Sequence, residues 1–212
     1  MASEFDRVPA GMVSRIKGII LSPKAEWQAI DGEATTTRAL MMGWVLPLAA
    51  IGPVAGLIGQ LTFGFSFLGI HIHPSIATAI SSAVIGYIGA IVGVWVLALI
   101  IDALAPTFGG TKNSVQAMKV AAYSMTAAWI AGIFQIYPPL AILGILGLYS
   151  FYLLYLGLPL LMKAPADKGL AYTIVTIVVA IVLYFIIAAI VAAAGHAFAP
   201  TPTLGGGSIT LG

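Results

Sequence analysis

The chain has no cysteine and few charged residues, and both features limit the classes of protein to which it can belong. Without cysteine, disulfide bonds, thiolate nucleophiles and cysteine-based metal sites are excluded. Only 8% of the residues are charged and 60% are hydrophobic, whereas about a quarter of the residues are charged in a typical soluble domain. There is no basic run and no basic face interleaved with aromatic residues, so nucleic-acid binding has no support. The composition indicates an integral membrane protein.

Motifs of the common catalytic classes are also missing. The sequence has no Gly-x-Ser-x-Gly, no His-Glu-x-x-His, no phosphate-binding loop and no paired carboxylates within its apolar stretches. His71, His73 and His196 can supply zinc ligands in principle, but their side of the membrane carries no carboxylate to complete or orient such a site. We therefore predict a protein that is not an enzyme and has neither a metal nor a cofactor.

The stretch from Val120 to Met162 holds 43 residues without a charged side chain. As one helix it would be about 65 Å long, roughly twice the thickness of the bilayer hydrocarbon. Pro138 and Pro139 interrupt it, because proline cannot continue a helix but suits the first turn of a new one. The sequence therefore predicts a transmembrane hairpin here. It predicts five spans in all, at about 39–62, 75–102, 118–136, 139–162 and 170–194.

Two terminal segments flank the predicted membrane domain, residues 39–195. Residues 1–38 are polar, and within them Met12, Ile16 and Ile19 recur at helical spacing, which is typical of a short amphipathic helix at the membrane surface. The pair Ser22-Pro23 predicts the start of a second short helix. Residues 196–212 are uncharged and rich in Gly, Pro and Thr, so we expect a flexible external tail.

The positive charges predict the orientation. All nine Lys and Arg residues fall in segment 1–38, in the 103–119 connection or in the 163–169 connection. With five spans these three segments lie on one side, which the positive-inside rule makes cytoplasmic. The predicted fold class is therefore an all-α membrane protein with five transmembrane helices and a cytoplasmic N-terminal amphipathic helix. Its N-terminus lies inside the cell and its C-terminus outside.

Glycines give two of the predicted spans faces of small residues. Gly52 and Gly56 lie on the first span, and Gly86, Gly89 and Gly93 lie on the second. Because glycine has no side chain, a neighbouring helix can approach such a face closely. We expect these faces to pack against other helices.

Several stretches resemble a known family. The segment from Arg15 to Ile30 is similar to the cytoplasmic N-terminal segment of prokaryotic Yip1-family membrane proteins. Residues 122–126 (Ala-Tyr-Ser-Met-Thr) resemble the Tyr-Ser signature of that family's third span, and residues 148–150 and 155–159 resemble its fourth. The resemblance implies five spans and a cytoplasmic N-terminus. Eukaryotic relatives are linked to prenylated small GTPases, but the prokaryotic character of the N-terminal segment implies no such partner here.

Polar side chains lie at similar depths near the lysine-bearing ends of the spans. Hydroxyls buried in hydrocarbon need hydrogen-bond partners, and we expect them to bond one another in a polar cluster in the cytoplasmic half of the bundle. One interpretation of this cluster is a cavity for a lipid headgroup or a proton relay. The alternative is that the tyrosines form an interfacial belt while Ser and Thr bond to their own helices. The candidate binding residues are Asp102, Lys119, Tyr123, Ser124, Thr126, Tyr152, Tyr155 and Tyr172.

Asp102 is the one acidic residue close to a predicted span. A carboxylate inside the membrane would be a functional candidate. Asp102 follows 26 uncharged residues, however, enough for the helix to reach the interface. We therefore expect a surface pair with Lys112 or Lys119.

The sequence favours a non-enzymatic scaffold or adaptor in the cytoplasmic (inner) membrane. Its expected partners are the lipid bilayer, a second copy of itself or other membrane proteins, and the small-residue faces and the amphipathic helix favour this function. The alternative is a small transporter or channel in which Tyr123, Ser124, Tyr152 and Tyr155 line the path.

Overall fold

A computed structural model describes residues 11–67, 70–72 and 74–198, with side chains except at 65–73, 184 and 187–198. The described chain contains five helical segments that are long and apolar enough to cross a membrane, which confirms the predicted number. We call them spans 1 to 5: Thr37–Phe63, Ile76–Phe108, Ser114–Ile136, Pro138–Leu161 and Ala166–Leu183. The helix of the last span continues to Phe198. The chain is therefore a multi-pass membrane protein.

Two short helices precede span 1. Helix α1 covers Met12–Leu21 and helix α2 covers Pro23–Gly32. Ser22 occupies the N-cap position of α2, although its side chain makes no capping hydrogen bond. Helix α1 buries Arg15 and Ile19, while α2 buries Trp27 and Ile30. The pair packs against the spans, and we call α1 and α2 together the N-terminal module. Its position at the membrane surface stays a prediction.

Span 1 is irregular around its prolines. It consists of α-helices at Thr37–Leu40, Leu46–Ala49 and Ile51–Phe63, with a π-helical segment at Met41–Val45. Pro47 and Pro53 lack the N–H groups that a regular helix needs, so the ladder of hydrogen bonds is disturbed before them.

A two-stranded antiparallel ribbon follows span 1. Strands Phe65–Phe67 and Ile70–Ile72 pair with Phe65 opposite Ile72. Gly64, at φ 72°, has a left-handed backbone that glycine adopts readily, and it ends the helix before the ribbon. The sequence predicted only a loop here. Three histidines were considered above as zinc ligands. Of these, His73 lies outside the residues that the structure describes, and so do the side chains of His71 and His196.

The remaining spans combine α-helix with tighter 3₁₀ turns. Span 2 is Ile76–Leu104 followed by 3₁₀ residues Ala105–Phe108. Span 3 runs as Ser114–Ser124, Thr126–Ala131 and 3₁₀ Gly132–Ile136. Span 4 begins as 3₁₀ Pro138–Leu148 and continues as α-helix Tyr149–Leu161. Span 5 opens with 3₁₀ Ala166–Lys168 and becomes α-helix at Gly169–Phe198. The proline pair thus separates spans 3 and 4, as predicted.

Span 3 lies at the centre of the bundle. In its most apolar stretch 67% of the residues are buried, compared with 39% in span 1 and 22% in each of spans 2, 4 and 5. Glycines permit its contact with span 1: a Cβ atom at Gly132 would lie 2.8 Å from the Cα atom of Gly52. The two helices therefore meet backbone to backbone, as the small-residue face at Gly52 predicted.

Candidate functional site

The three segments that carry the positive charges meet at one end of the bundle. The Thr111 amide donates a hydrogen bond of 2.7 Å to the Met162 carbonyl, which joins the 103–119 and 163–169 connections. The Lys163 ammonium lies 2.6 Å from the Asp31 carboxylate, and the Gln116 amide donates to the Asp31 carbonyl at 3.2 Å. We call this end of the bundle, with the N-terminal module, the charged end. Its composition supports the view that these segments share one side of the membrane.

Lys119 fastens the N-terminal module to span 3. The residue is only 3% exposed, and its ammonium donates to the carbonyls of Ile30 at 2.8 Å and Glu33 at 2.6 Å. These carbonyls lie at the C-terminal end of α2, where unpaired carbonyls and the helix dipole favour a cation. The expected Asp102–Lys119 pair is therefore wrong, because the backbone carbonyls of α2 take the ammonium.

Asp102 has no ion pair with Lys112 either among the described residues. It is half-buried, and its Oδ1 is buried without a hydrogen-bond partner in the part of the chain that the structure describes. Lys112 lies exposed. The expected surface pair does not form because span 2 continues helically past Asp102 to Leu104 and keeps one carboxylate oxygen within the bundle.

A buried arginine organises the N-terminal module. The Arg15 guanidinium donates to the Glu26 carboxylate at 2.8 Å and also to that of Glu33. It lies 5.8 Å from the centre of the Tyr123 ring, a cation–π distance that ties α1 to span 3. Sequence reasoning missed this group. The available signal was the spacing of four residues between Arg15 and Ile19, which places both on one face of the helix.

Tyr123 lies in an aromatic cluster between the module and span 1. Its ring centre is 6.3 Å from that of Trp27 and 4.9 Å from that of Trp44, both edge to face. The Trp44 indole donates to the Thr126 hydroxyl at 3.2 Å, and that hydroxyl donates to the Tyr123 carbonyl at 2.7 Å. Beside Arg15 and Tyr123 lies a cavity of about 160 Å³. Two predicted residues, Tyr123 and Thr126, thus belong to one packed unit.

The expectation that the candidate hydroxyls bond one another is wrong in the described chain. The Tyr172 hydroxyl donates to the Ile101 carbonyl, and Thr126 bonds the backbone of its own span. Tyr152 and Tyr155 are each 41% exposed on span 4. The cluster fails because the buried hydroxyls of Thr126 and Tyr172 donate to backbone carbonyls instead of to one another. The alternative, in which hydroxyls bond back to helices, describes Thr126 better.

Ser124 differs from the other candidates. It is 1% exposed, and its hydroxyl has no hydrogen-bond partner among the described residues. It lines a recess of about 820 Å³ between spans 2 to 5, whose walls include Gly93, Trp129, Ser150 and Ile177. The predicted site is thus divided. Lys119 and Tyr123 contact the N-terminal module, and Thr126 bonds Trp44 of span 1. Ser124 lines the recess.

Within the described residues no group of three or more His, Asp and Glu side chains is placed to hold a metal ion. Several charged groups at the charged end are instead engaged with one another or with the backbone. Arg15 binds two carboxylates, Lys163 binds Asp31, and Lys119 binds two carbonyls. The arrangement can hold the module in place, and it leaves the recess beside Ser124 open within the spans.

Known proteins support the resemblance noted from sequence. The chain is 27% identical over 183 residues to the "Inner membrane protein YohC" of Escherichia coli K12, covering 84% of this chain and 94% of that protein. The protein of the same name from E. coli O6:H1 strain CFT073 matches with the same identity and coverage. No solved structure matches the chain. The inner-membrane location in these names agrees with the predicted one. The profile of the Yip1 domain matches residues 17–199, and the chain therefore belongs to the Yip1 domain family.

Proposed function

We propose that this protein is a non-enzymatic scaffold of the inner membrane, which packs through its spans against lipids, a second copy of itself or other membrane proteins. The observation that carries the proposal is a glycine face on span 2. Cβ atoms built at Gly86, Gly89 and Gly93 would meet no heavy atom of the described chain within 4 Å. Small residues in membrane helices normally serve close helix packing, which here has no partner within the described chain.

Glycines elsewhere in the bundle show how the chain uses small residues. Gly132 meets Gly52 across spans 1 and 3, and a Cβ at Gly157 would lie 2.6 Å from the Trp27 ring. A Cβ at Gly147 would lie 3.2 Å from the Cα atom of Ala128. These glycines are needed for internal contacts. The glycines of span 2 have no such need, so an external helix is the partner that their face fits.

Disulfide crosslinking in native membranes tests the scaffold directly, because the chain has no cysteine of its own. Ile85 is 69% exposed beside the glycine face, and we expect Ile85→Cys to form a specific crosslink to a second copy or to another membrane protein. Adding Gly86→Leu should abolish the crosslink, because it places a side chain on the glycine face where a Cβ atom would meet no heavy atom of the described chain within 4 Å. Ile142→Cys on span 4, at a residue 74% exposed, is the matched control. Equal crosslinking at both positions, unaffected by Gly86→Leu, would count against the proposal.

The transporter or channel alternative requires water beside Ser124. The recess wall there is formed almost entirely by apolar side chains, and Tyr152 and Tyr155 do not line it, so it offers little support for a water path. A single Ser124→Cys variant separates the two functions. A scaffold should resist a charged, membrane-impermeant thiol reagent at this position, because thiols react as thiolates in water. Rapid labelling would favour transport.

A further inference from the structure

The recess beside Ser124 opens sideways from the membrane-spanning part of the chain. Among its lining residues, Val92 on span 2 and Ile181 on span 5 are about half exposed, at 49% and 47%. Both belong to segments that are long and apolar enough to cross the bilayer. Groups within the spans and exposed at the bundle surface face lipid hydrocarbon. The opening is therefore accessible to lipid chains.

The recess runs from near the charged end toward the middle of the membrane. Ser124 lies five residues beyond Lys119, and Leu97 lies five residues before Asp102. Each is about 7.5 Å deeper than its charged neighbour by helical rise. On span 2 the lining continues to Gly89, which is about 12 Å deeper than Leu97. The Ser124 hydroxyl thus lies toward the shallow end of a long apolar space.

The polarity of the walls limits what can fill this space. None of the lining residues that the structure describes carries a charge, so neither a charged headgroup nor a free carboxylate would find a counter-charge inside. Polar groups in the recess include the Ser124 hydroxyl, which lacks a partner, and the Ser150 hydroxyl, which accepts from the Ala128 amide at 3.0 Å. A buried donor without an acceptor is costly. The fitting ligand is an apolar chain with a neutral oxygen acceptor near its shallow end.

We propose that the recess binds one acyl chain of a bilayer phospholipid and that Ser124 donates a hydrogen bond to its ester carbonyl. The ester carbonyl of a phospholipid lies at the shallow end of the chain, where the headgroup region meets the hydrocarbon. The volume of about 820 Å³ is within the usual range for ligand sites. This lipid site goes beyond scaffolding, because packing between membrane proteins requires no bound chain and no hydrogen bond at Ser124.

Tryptophan fluorescence can report occupancy, because Trp129 lines the recess. The probe is phosphatidylcholine with two bromine atoms midway along one chain, titrated into the full-length protein in detergent. The quenching due to Trp129 is the difference between the protein and its Trp129→Phe variant. We expect saturable quenching, with the ester-linked probe binding about three- to tenfold more tightly than an ether-linked analogue that has no carbonyl. In Ser124→Ala this ester preference should disappear.

Two glycine variants test whether the chain occupies the recess itself. Gly93→Leu places a side chain in the recess and should reduce probe affinity by at least about tenfold, on the scale of losing a buried apolar contact. Gly86→Leu, on the same helix and also in open space, does not line the recess and should bind as the unmodified protein does. Because a Cβ atom at either position would meet no heavy atom of the described chain within 4 Å, we expect both variants to fold.

Three results would overturn the proposal. Quenching that never saturates, or that is the same in Gly93→Leu and Gly86→Leu, means that Trp129 merely senses bulk lipid. An equal affinity for ester and ether probes in the unmodified protein removes the role of Ser124. Tighter binding of brominated stearic acid than of the brominated phospholipid identifies a free fatty acid as the occupant. The crosslinking test with Ile85→Cys does not depend on the lipid site, so none of these three results bears on it.

Discussion

Replacing Lys119 by methionine removes the ammonium that joins span 3 to the N-terminal module while keeping the length of the side chain. The ammonium donates to the carbonyls of Ile30 and Glu33 at 2.8 and 2.6 Å, and the side chain is nearly fully buried. Methionine cannot donate a hydrogen bond, so both carbonyls at the end of α2 lose a partner. We expect the module to open more often in Lys119→Met, although its apolar contacts remain.

The size of the effect follows from the two hydrogen bonds. A hydrogen bond to a charged group contributes about 1.5–3 kcal/mol. Part of this loss is offset in Lys119→Met, because methionine also removes the cost of burying an ammonium away from water. We therefore expect the free energy of opening to fall by about 2–3 kcal/mol, since carbonyls freed at the charged end regain water when the module opens. At about 1.4 kcal/mol for each factor of ten, the open population rises about 30- to 150-fold.

A buried cysteine can measure this opening, because the unmodified chain contains none. Ile19 on α1 is 1% exposed, so a thiol placed there by Ile19→Cys reacts with a maleimide only when the module opens. Under conditions in which closing is faster than labelling, the rate is proportional to the open population. The rate for Ile19→Cys/Lys119→Met should therefore exceed that for Ile19→Cys by the same factor.

Lys112→Met is the matched control, since Lys112 is an exposed lysine of the same connection. It removes the same charge and should leave the labelling rate of Ile19→Cys unchanged. If Lys119→Met also leaves the rate unchanged, Lys119 does not hold the module. If both variants raise it equally, the general charge of this end acts instead of the two hydrogen bonds.

Three further changes probe the module, the core and the orientation. Gly157→Val should raise the labelling rate of Ile19→Cys at least about tenfold, because a Cβ atom at Gly157 would lie 2.6 Å from the Trp27 ring. Gly144→Val is the control and should have no effect, because a Cβ atom there lies in open space. Tyr172→Phe removes the hydroxyl that donates to the Ile101 carbonyl. For a loss of about 1 kcal/mol, the midpoint of thermal unfolding in detergent should fall by about 2–4 °C, and an unchanged midpoint would contradict that role. A reporter fused at the C-terminus should be active only outside the cell, and an internal signal would refute the charge-based orientation.

The number of spans could be predicted because it depends on properties that are local in sequence. Apolar length sets how often the chain can cross, and the proline pair at 138–139 marks where one long stretch must turn. The ribbon at Phe65–Phe67 and Ile70–Ile72 could not be predicted in the same way. Its pairing depends on register between two segments of three residues, and such short runs carry little periodic signal.

The candidate site was predicted only in part, because depth along a helix does not determine which way a side chain points. Tyr123 and Ser124 are adjacent and differ in depth by only about 1.5 Å, yet Tyr123 contacts Trp44 whereas Ser124 lines the recess. Each residue advances about 100° around a helix, so neighbours in sequence face different partners. Lys119 was identified as a candidate but given the wrong partner, since its ligands are backbone carbonyls of a segment 86 and 89 residues away. Backbone acceptors carry no sequence signal.

Span 2 takes part in both proposals, and Gly86 is the residue at which their requirements differ. A lipid chain in the recess explains open space at Gly89 and Gly93, because both line it, but not at Gly86, which does not. Glycine in a helix costs about 1 kcal/mol relative to alanine, and no contact within the described chain requires it at position 86. An approaching helix from another molecule accounts for Gly86, since close packing of helices needs a position without a side chain. Gly86 is therefore the residue that favours a protein contact in addition to the bound lipid.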